Sequence, residues 1–311
     1  MGYGKWTADA FASYSTSVGR TYDLSTRSVS GNYSAQEMFT SWHLADELDP
    51  KDKIRECRNS ADHPHTKPVI LALDVTGSMG NASVEVAKRL NNIMEDLYKN
   101  VDDVEFMMMG IGDLDYDAAP IQASQFESDI RIASQLDKLY FEGGGGGNGF
   151  ESYTAAWYFG LYHTDLDCLK DGRKGTIITL GDEPLNPYLP TNKLERVLGD
   201  SVRQRETETN RLYELASKKF NIYHICIKDN ASSYRYYENE IFDDQSSCSW
   251  VNVLGRENVI VSTIEALPQN ISMLVRKSNS GIIVEPEIDS ILADDDNNTV
   301  VDNADNEGIS W

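Results

Sequence analysis

The sequence predicts a doubly wound α/β fold: a mostly parallel central sheet with one antiparallel edge strand and helices on both faces, Rossmann-like in outline. Three observations lead there. From Lys67 onward, short apolar runs alternate with longer segments of helical period, the mark of a parallel sheet covered by helices. The first run, Pro68–Asp74, is apolar up to its last residue, as a strand buried on both faces must be. That run ends on a carboxylate, Asp74, followed at alternate positions by the hydroxyls of Thr76 and Ser78. Open α/β sheets bind their ligands at this carboxyl edge.

The elements follow in order. Asn81–Lys99 carries Val86, Leu90, Ile93, Met94 and Leu97 at helical spacing. Val104–Gly112 is the next strand, and Pro120–Phe126 a short edge strand turned back through Asp113–Ala119. Helices are expected over Ser128–Tyr140 and, after a glycine run, over Glu151–His163. Gly175–Leu180 is a strand ending at Gly181-Asp182-Glu183-Pro184. Leu194–Lys219 reads as mostly helical, Phe220–Ile227 and Asn258–Val261 as strands, and a helix runs to about Val275 with Pro268 in its first turn, where proline is tolerated. Gly281–Val284 offers a last strand.

Three regions follow from composition. Residues 1–66 are rich in Ser, Tyr and Thr and form an N-terminal arm that packs on the core or on a partner. Within it, Ser34 and Glu37 have capping-box spacing and start a helix over Ala35–Leu48, with Met38, Phe39, Trp42 and Leu44 on one side. Residues 67–284 are the α/β domain. Residues 285–311 are an acidic C-terminal tail, poor in core formers.

The 311 residues are 40% hydrophobic, enough for a sizeable core, and carry a net charge of −22 from 50 acidic against 28 basic residues. Repulsion at long range argues against nucleic acid and against an anionic membrane surface as partners, and suits cations or a basic protein. Cys57, Cys168, Cys226 and Cys248 have neither CxxC spacing nor a paired pattern, which points to a reducing, cytoplasmic compartment without a disulfide framework or zinc site. The start of the chain has no apolar h-region, and no run approaches the roughly 18 apolar residues of a membrane span.

One carboxylate and two hydroxyls at a strand end make a half-site of hard oxygen ligands, suited to Mg²⁺, with Mn²⁺ or Ca²⁺ as alternatives. Two further loops fall at the same edge: Gly143–Ser152, holding Asn148 and Glu151, and the loop with Asp182 and Glu183. Oxygen ligands from all three loops could surround one divalent ion: Asp74, Thr76 and Ser78 from the first, Asn148, Glu151 and Ser152 from the second, with Thr154 a weaker candidate one turn into the helix, and Asp182 and Glu183 from the third. The Asp113-Leu-Asp115-Tyr-Asp117 turn lies at this edge too. It lacks the glycine and distal glutamate of an EF-hand and reads as an acidic, solvated turn, with a second ion or a basic partner as the other possibilities.

Asp74-Val-Thr-Gly-Ser78 resembles the Asp-x-Ser-x-Ser that opens the metal-ion-dependent adhesion site (MIDAS) of von Willebrand factor type A (VWA) domains, with Thr76 keeping the hydroxyl of the first Ser. Asp182 stands where that family carries its third-loop Asp. The resemblance covers roughly residues 67–280. The family's second-loop Thr is missing from its usual place, and the glycine run with Glu151-Ser152 is more similar to the alpha-kinase-linked branch, in which Asn148 and Glu151 would replace Asp and Glu. The resemblance implies a bacterial or phage-type module whose Mg²⁺ captures an Asp or Glu from a protein partner, with an AAA-type ATPase or a kinase as a further associate.

Catalytic readings are weaker. A haloacid dehalogenase motif needs Asp where Thr76 stands. No Gly-x-x-x-x-Gly-Lys-Ser/Thr, Gly-x-Ser-x-Gly or HExxH occurs. His63-Pro-His65 reads as a surface loop. The chain is therefore expected to be a metal-dependent protein-binding module and no enzyme. The alternative is a structural or assembly protein whose termini make the contacts, and a phosphoester hydrolase comes last.

Overall fold

The computed structural model describes residues 4–141, 151–227 and 249–279. Its centre is a six-stranded sheet of β1 (Lys67–Asp74), β2 (Val104–Ile111), β3 (Ile121–Ala123), β4 (Gly175–Gly181), β5 (Phe220–Ile227) and β6 (Val259–Ser262), in the order β3-β2-β1-β4-β5-β6. All neighbours run parallel except β2 and β3. The expected α/β class, with its single antiparallel edge strand, is what the chain forms.

Alternation along the strands explains why both faces are covered. On β1, Val69, Leu71 and Leu73 join one core, while Ile70 and Ala72 join the other. The first core is closed by the helices Gly80–Lys88, Leu90–Asn100 and Leu267–Asn279. The second is closed by Thr154–Tyr162, Thr209–Lys219 and Ser249–Leu254. Helix Thr154–Tyr162 is buried nearly all round. A Cβ on its Gly160 would sit 2.9 Å from Ile177 Cδ1 and 3.1 Å from Phe220, so only glycine lets it lie this close to the sheet.

The N-terminal segment is built into the same molecule. Trp6, Phe11, Val29, Met38, Phe39 and Leu48 belong to the first core, and Arg55–Cys57 pairs in parallel with Thr164–Leu166. The Ser34–Glu37 capping box is present in both directions, but the helix it starts ends at Met38 rather than Leu48. Arg20 Nη2 takes the Met38 carbonyl, and the Thr40 N–H turns to Asp137 O (2.9 Å). The chain is drawn out extended, Met38 and Phe39 are buried, and Trp42 is left 79% exposed.

The expected helix over Leu194–Lys219 is two helices. Leu194–Leu198 stops at Gly199, whose φ of +86° is left-handed, and Thr207–Glu208 then pairs with Tyr188–Leu189 before Thr209–Lys219 begins. The helix expected over Ser128–Tyr140 is confined to Arg131–Leu136. His63 is buried rather than on a surface loop, with Nε2 bonded to Gly4 O (2.8 Å) and Ser128 Oγ (3.1 Å). Cys57 and Cys168 are buried free thiols, and Cys226 is buried as well. Among the described residues no helix is long and apolar enough to cross a membrane. The expected strand Gly281–Val284, the tail 285–311, Cys248 and most of the glycine-rich loop lie outside the described residues.

Candidate metal centre

The sheet order reverses between β1 and β4. Loops leaving these neighbours diverge, and a crevice opens beyond their carboxyl ends. Asp74 is the last residue of β1 and Asp182 follows β4, so both arrive at this point by topology alone. Asp74 is fully buried, and Asp182 is 1% exposed.

The Asp74 carboxylate is held from two sides. Its Oδ1 accepts from the Thr76 backbone N–H (2.9 Å) and from Thr76 Oγ1 (2.5 Å). Its Oδ2 accepts from the Tyr153 hydroxyl (2.6 Å). The Tyr153 oxygen in turn accepts from the Glu183 N–H at 3.3 Å, tying the second loop to the third. Ser83 Oγ donates to the Asp74 carbonyl (3.3 Å), which ties the following helix to the strand end.

Electrostatics set the character of the crevice. Burial, followed by the neighbouring Asp182, raises Asp74 to about 7. Glu183 is raised to about 7 by burial and then by Asp182 and Asp74. Glu151 is raised to about 10 by burial, then by Asp74, Asp117, Asp113 and Glu183. In all three cases the charged neighbours responsible are other carboxylates. Hydrogen bonds from Thr76 and Tyr153 oppose the shift at Asp74 without cancelling it.

The structure thus gathers four of the predicted ligands at one edge: Asp74, Thr76, Asp182 and Glu151. Thr76 is 4% and Glu151 7% exposed. The Ser78 side chain and Asn148 lie outside the described part of the structure. Thr154, the weaker candidate, accepts from Asn186 Nδ2 at 2.7 Å and is fully buried. Among the described residues no three His, Cys, Asp or Glu side chains converge as a metal-holding group. The donor set is one of carboxylates mixed with hydroxyls, which leaves positions for water, and that is the environment Mg²⁺ accepts.

No motif or spacing pointed to Tyr153. Its ring packs edge-on against Trp250 (5.2 Å) and His224 (5.7 Å), and those two rings stack on each other at 3.6 Å. Burial holds His224 well below its ordinary value, so this floor is uncharged. A Cβ on Gly181 would lie 2.0 Å from the Tyr153 oxygen. Gly181→Ala therefore expels the phenol from Asp74. We expect a loss of about 1–3 kcal/mol in chemical denaturation, the range for overpacking a close-packed site, together with loss of any metal response.

The Asp113–Asp117 turn is a closed unit. Asp117 N–H donates to Asp113 O (2.9 Å), Asp113 N–H to Asp117 Oδ2 (2.7 Å), and Asp115 N–H to Asp113 Oδ1 (2.8 Å). Asp113 is 2% exposed, so this end of the turn is not solvated. Beside it lies a cleft of about 90 Å³ lined by Asp113, Glu151, Ser152, Asn186 and Tyr188 among others.

No protein-family profile and no curated protein matches the sequence. In structure the chain is similar to the pilus adhesin SpaC from Lactobacillus rhamnosus GG in its open conformation, with 13% identity and a TM-score of 0.43; the match covers 73% of this chain and 31% of the adhesin. It is similar to the vWF domain of the type V pili tip protein Mfa5 from Porphyromonas gingivalis, with 12% identity, TM-score 0.42, and 72% and 98% of the two chains covered. It is also similar to the conserved hypothetical protein BatB from Bacteroides thetaiotaomicron, with 11% identity, TM-score 0.40, and 69% and 100% covered. The chain thus spans about a third of the length of the adhesin.

Proposed function

We propose that this chain is a metal-dependent protein-binding module of VWA type, in which Mg²⁺ held at the β1–β4 switch point captures an acidic side chain of a protein partner. The observation that carries this reading is the pair of buried carboxylates, Asp74 and Asp182, delivered to the crevice where the strand order reverses. Asp74, Thr76 and Asp182 would hold the ion, with Ser78, Asn148 and Glu151 the remaining candidates. The ion supplies a Lewis-acidic position that accepts one carboxylate oxygen from outside. Tyr153 and Thr76 orient the Asp74 carboxylate, and the Tyr153 ring is itself held by Trp250 and His224. The free thiols of Cys57 and Cys168 are in keeping with a reducing, cytoplasmic setting.

The test is retention on arrays of Asp- and Glu-containing peptides, and pull-down of partners, in Mg²⁺ and in EDTA. Capture that needs the metal, and that Asp74→Ala abolishes, is the expected result. Capture that survives both chelation and Asp74→Ala overturns the proposal. It would favour the second reading, an assembly protein docking through its N-terminal segment, where Leu24 is 82% and Trp42 79% exposed.

A further inference from the structure

The cleft beside the Asp113 turn is lined by two buried oxygen atoms that no described neighbour satisfies, one on Asn186 and one on Glu151, the latter also a candidate ligand of the Asp74 site. Glu151 Oε2 and Asn186 Oδ1 are buried and have no hydrogen-bond partner among the described residues. The two residues are only 7% and 6% exposed. Both residues line the cleft together with Asp113. A buried acceptor left unmatched costs on the order of 1–3 kcal/mol, so two in one small space call for a ligand that needs oxygens.

The orientation of Asn186 is fixed by chemistry. Its Nδ2 donates to Thr154 Oγ1 (2.7 Å) and to the Tyr188 carbonyl (2.7 Å). A carbonyl only accepts, so the amide cannot be flipped and its oxygen is the atom left over. The basic groups near the turn engage other atoms. Lys193 Nζ stands 3.2 Å from Asp115 Oδ1, and Arg196 donates to Leu114 O (3.3 Å) and Asp117 O (3.2 Å). At Glu151 the recorded charged neighbours are carboxylates, namely Asp74, Asp117, Asp113 and Glu183.

We propose that this cleft is a second cation site, of calcium class, formed by Asp113, Glu151 and the Asn186 side-chain oxygen, and distinct from the site at Asp74. Two carboxylates and an amide oxygen match the ligand types of Ca²⁺, which accepts mixed carboxylate, carbonyl and water ligation in flexible geometry. A volume of about 90 Å³ holds an ion and accompanying water. Glu151 and Asp74 repel each other, so an ion here also relieves that repulsion.

The experiment is isothermal titration calorimetry of the full chain, stripped with EDTA and exchanged, against CaCl2. The wild type and Asp74→Asn are expected to bind Ca²⁺ with similar affinity, whereas Asp113→Asn weakens it about tenfold or more, as loss of one ligand charge predicts. Asp113→Asn keeps the Oδ1 acceptor for the Asp115 N–H, so the turn is retained. Tb³⁺ luminescence sensitised by Tyr188 gives a second readout in the same variants. Binding unchanged in Asp113→Asn, binding lost only in Asp74→Asn, or no Ca²⁺ binding by the wild type would each overturn the site. Because Asp74→Asn is a separate arm, failure here is distinguishable from failure of the Mg²⁺ reading.

Discussion

Asp74→Asn is expected to raise the melting temperature of the metal-free protein at pH 8 and to abolish its response to Mg²⁺. Most substitutions of a fully buried, hydrogen-bonded residue destabilise, so the sign is diagnostic. The wild-type carboxylate carries its charge at pH 8 in a fully buried position beside Asp182. The Asn oxygen still accepts from Thr76 N–H and Oγ1, and its amide can donate to the Tyr153 oxygen, so the bonds at 2.9, 2.5 and 2.6 Å keep partners. What disappears is the buried charge. The gain is on the order of 1–3 kcal/mol, and each kcal/mol shifts the melting temperature of a domain this size by about 2–4 °C. Wild type should gain stability from Mg²⁺ through preferential binding to the folded state, and the variant should not. Differential scanning fluorimetry with MgCl2 or EDTA decides it. A variant that melts lower in EDTA, or still responds to Mg²⁺, contradicts the role given to Asp74.

The second large effect is on pH. In EDTA the wild type should lose stability as pH rises from 5 to 8. Asp74 and Glu183 both stand at about 7 in the folded protein, against 3.8 and 4.5 for the free groups. Between those values the folded state binds more protons than the unfolded one, so the free energy of unfolding falls as pH rises. Their stabilisation is complete below about pH 4 and lost on passing through 7. Glu105, buried against the Cys57 thiol and also raised to about 7, adds in the same direction, and Glu151, raised to about 10, extends the fall above pH 8. The groups facing Asp74 are Thr76 on its own loop, Tyr153 and Glu151 on the second, and Asp182 and Glu183 on the third. None of these described groups is basic, and the carboxylates among them push in the same direction. Mg²⁺ bound there should replace the missing protons as counter-charge and flatten the dependence. Denaturant melts at pH 5 and 8, with and without Mg²⁺, measure this. A metal-free protein equally stable at both pH values would show that the crevice is not the buried acidic site described.

Local signals in the sequence carried where they were backed by a local cause. The apolar run before Asp74 is a central strand because side chains of both parities are covered, with Val69, Leu71 and Leu73 on one face and Ile70 and Ala72 on the other. The Ser34–Glu37 box forms because both partners lie within one helical turn. The helix it opens stops early because the next residues are claimed by distant atoms, Arg20 at Met38 and Asp137 at Thr40, which no local pattern announces. The long helix expected over Leu194–Lys219 failed for a readable reason, since Gly199 takes a left-handed conformation.

The sequence by itself determined the α/β class, the strand that ends on Asp74 and the arrival of Asp182 at the same edge. These follow from hydrophobic periodicity and from the rule that parallel strands bring their carboxyl ends together. Only the tertiary structure decided what surrounds Asp74. Tyr153, 79 positions away along the chain, closes one of its oxygens, Gly181 leaves room for the phenol, and Glu151 turns into a cleft shared with Asp113 and Asn186. Such pairings depend on which side chains are desolvated together, and desolvation is a property of the packed interior, where a buried charge or acceptor must find its partner across the fold.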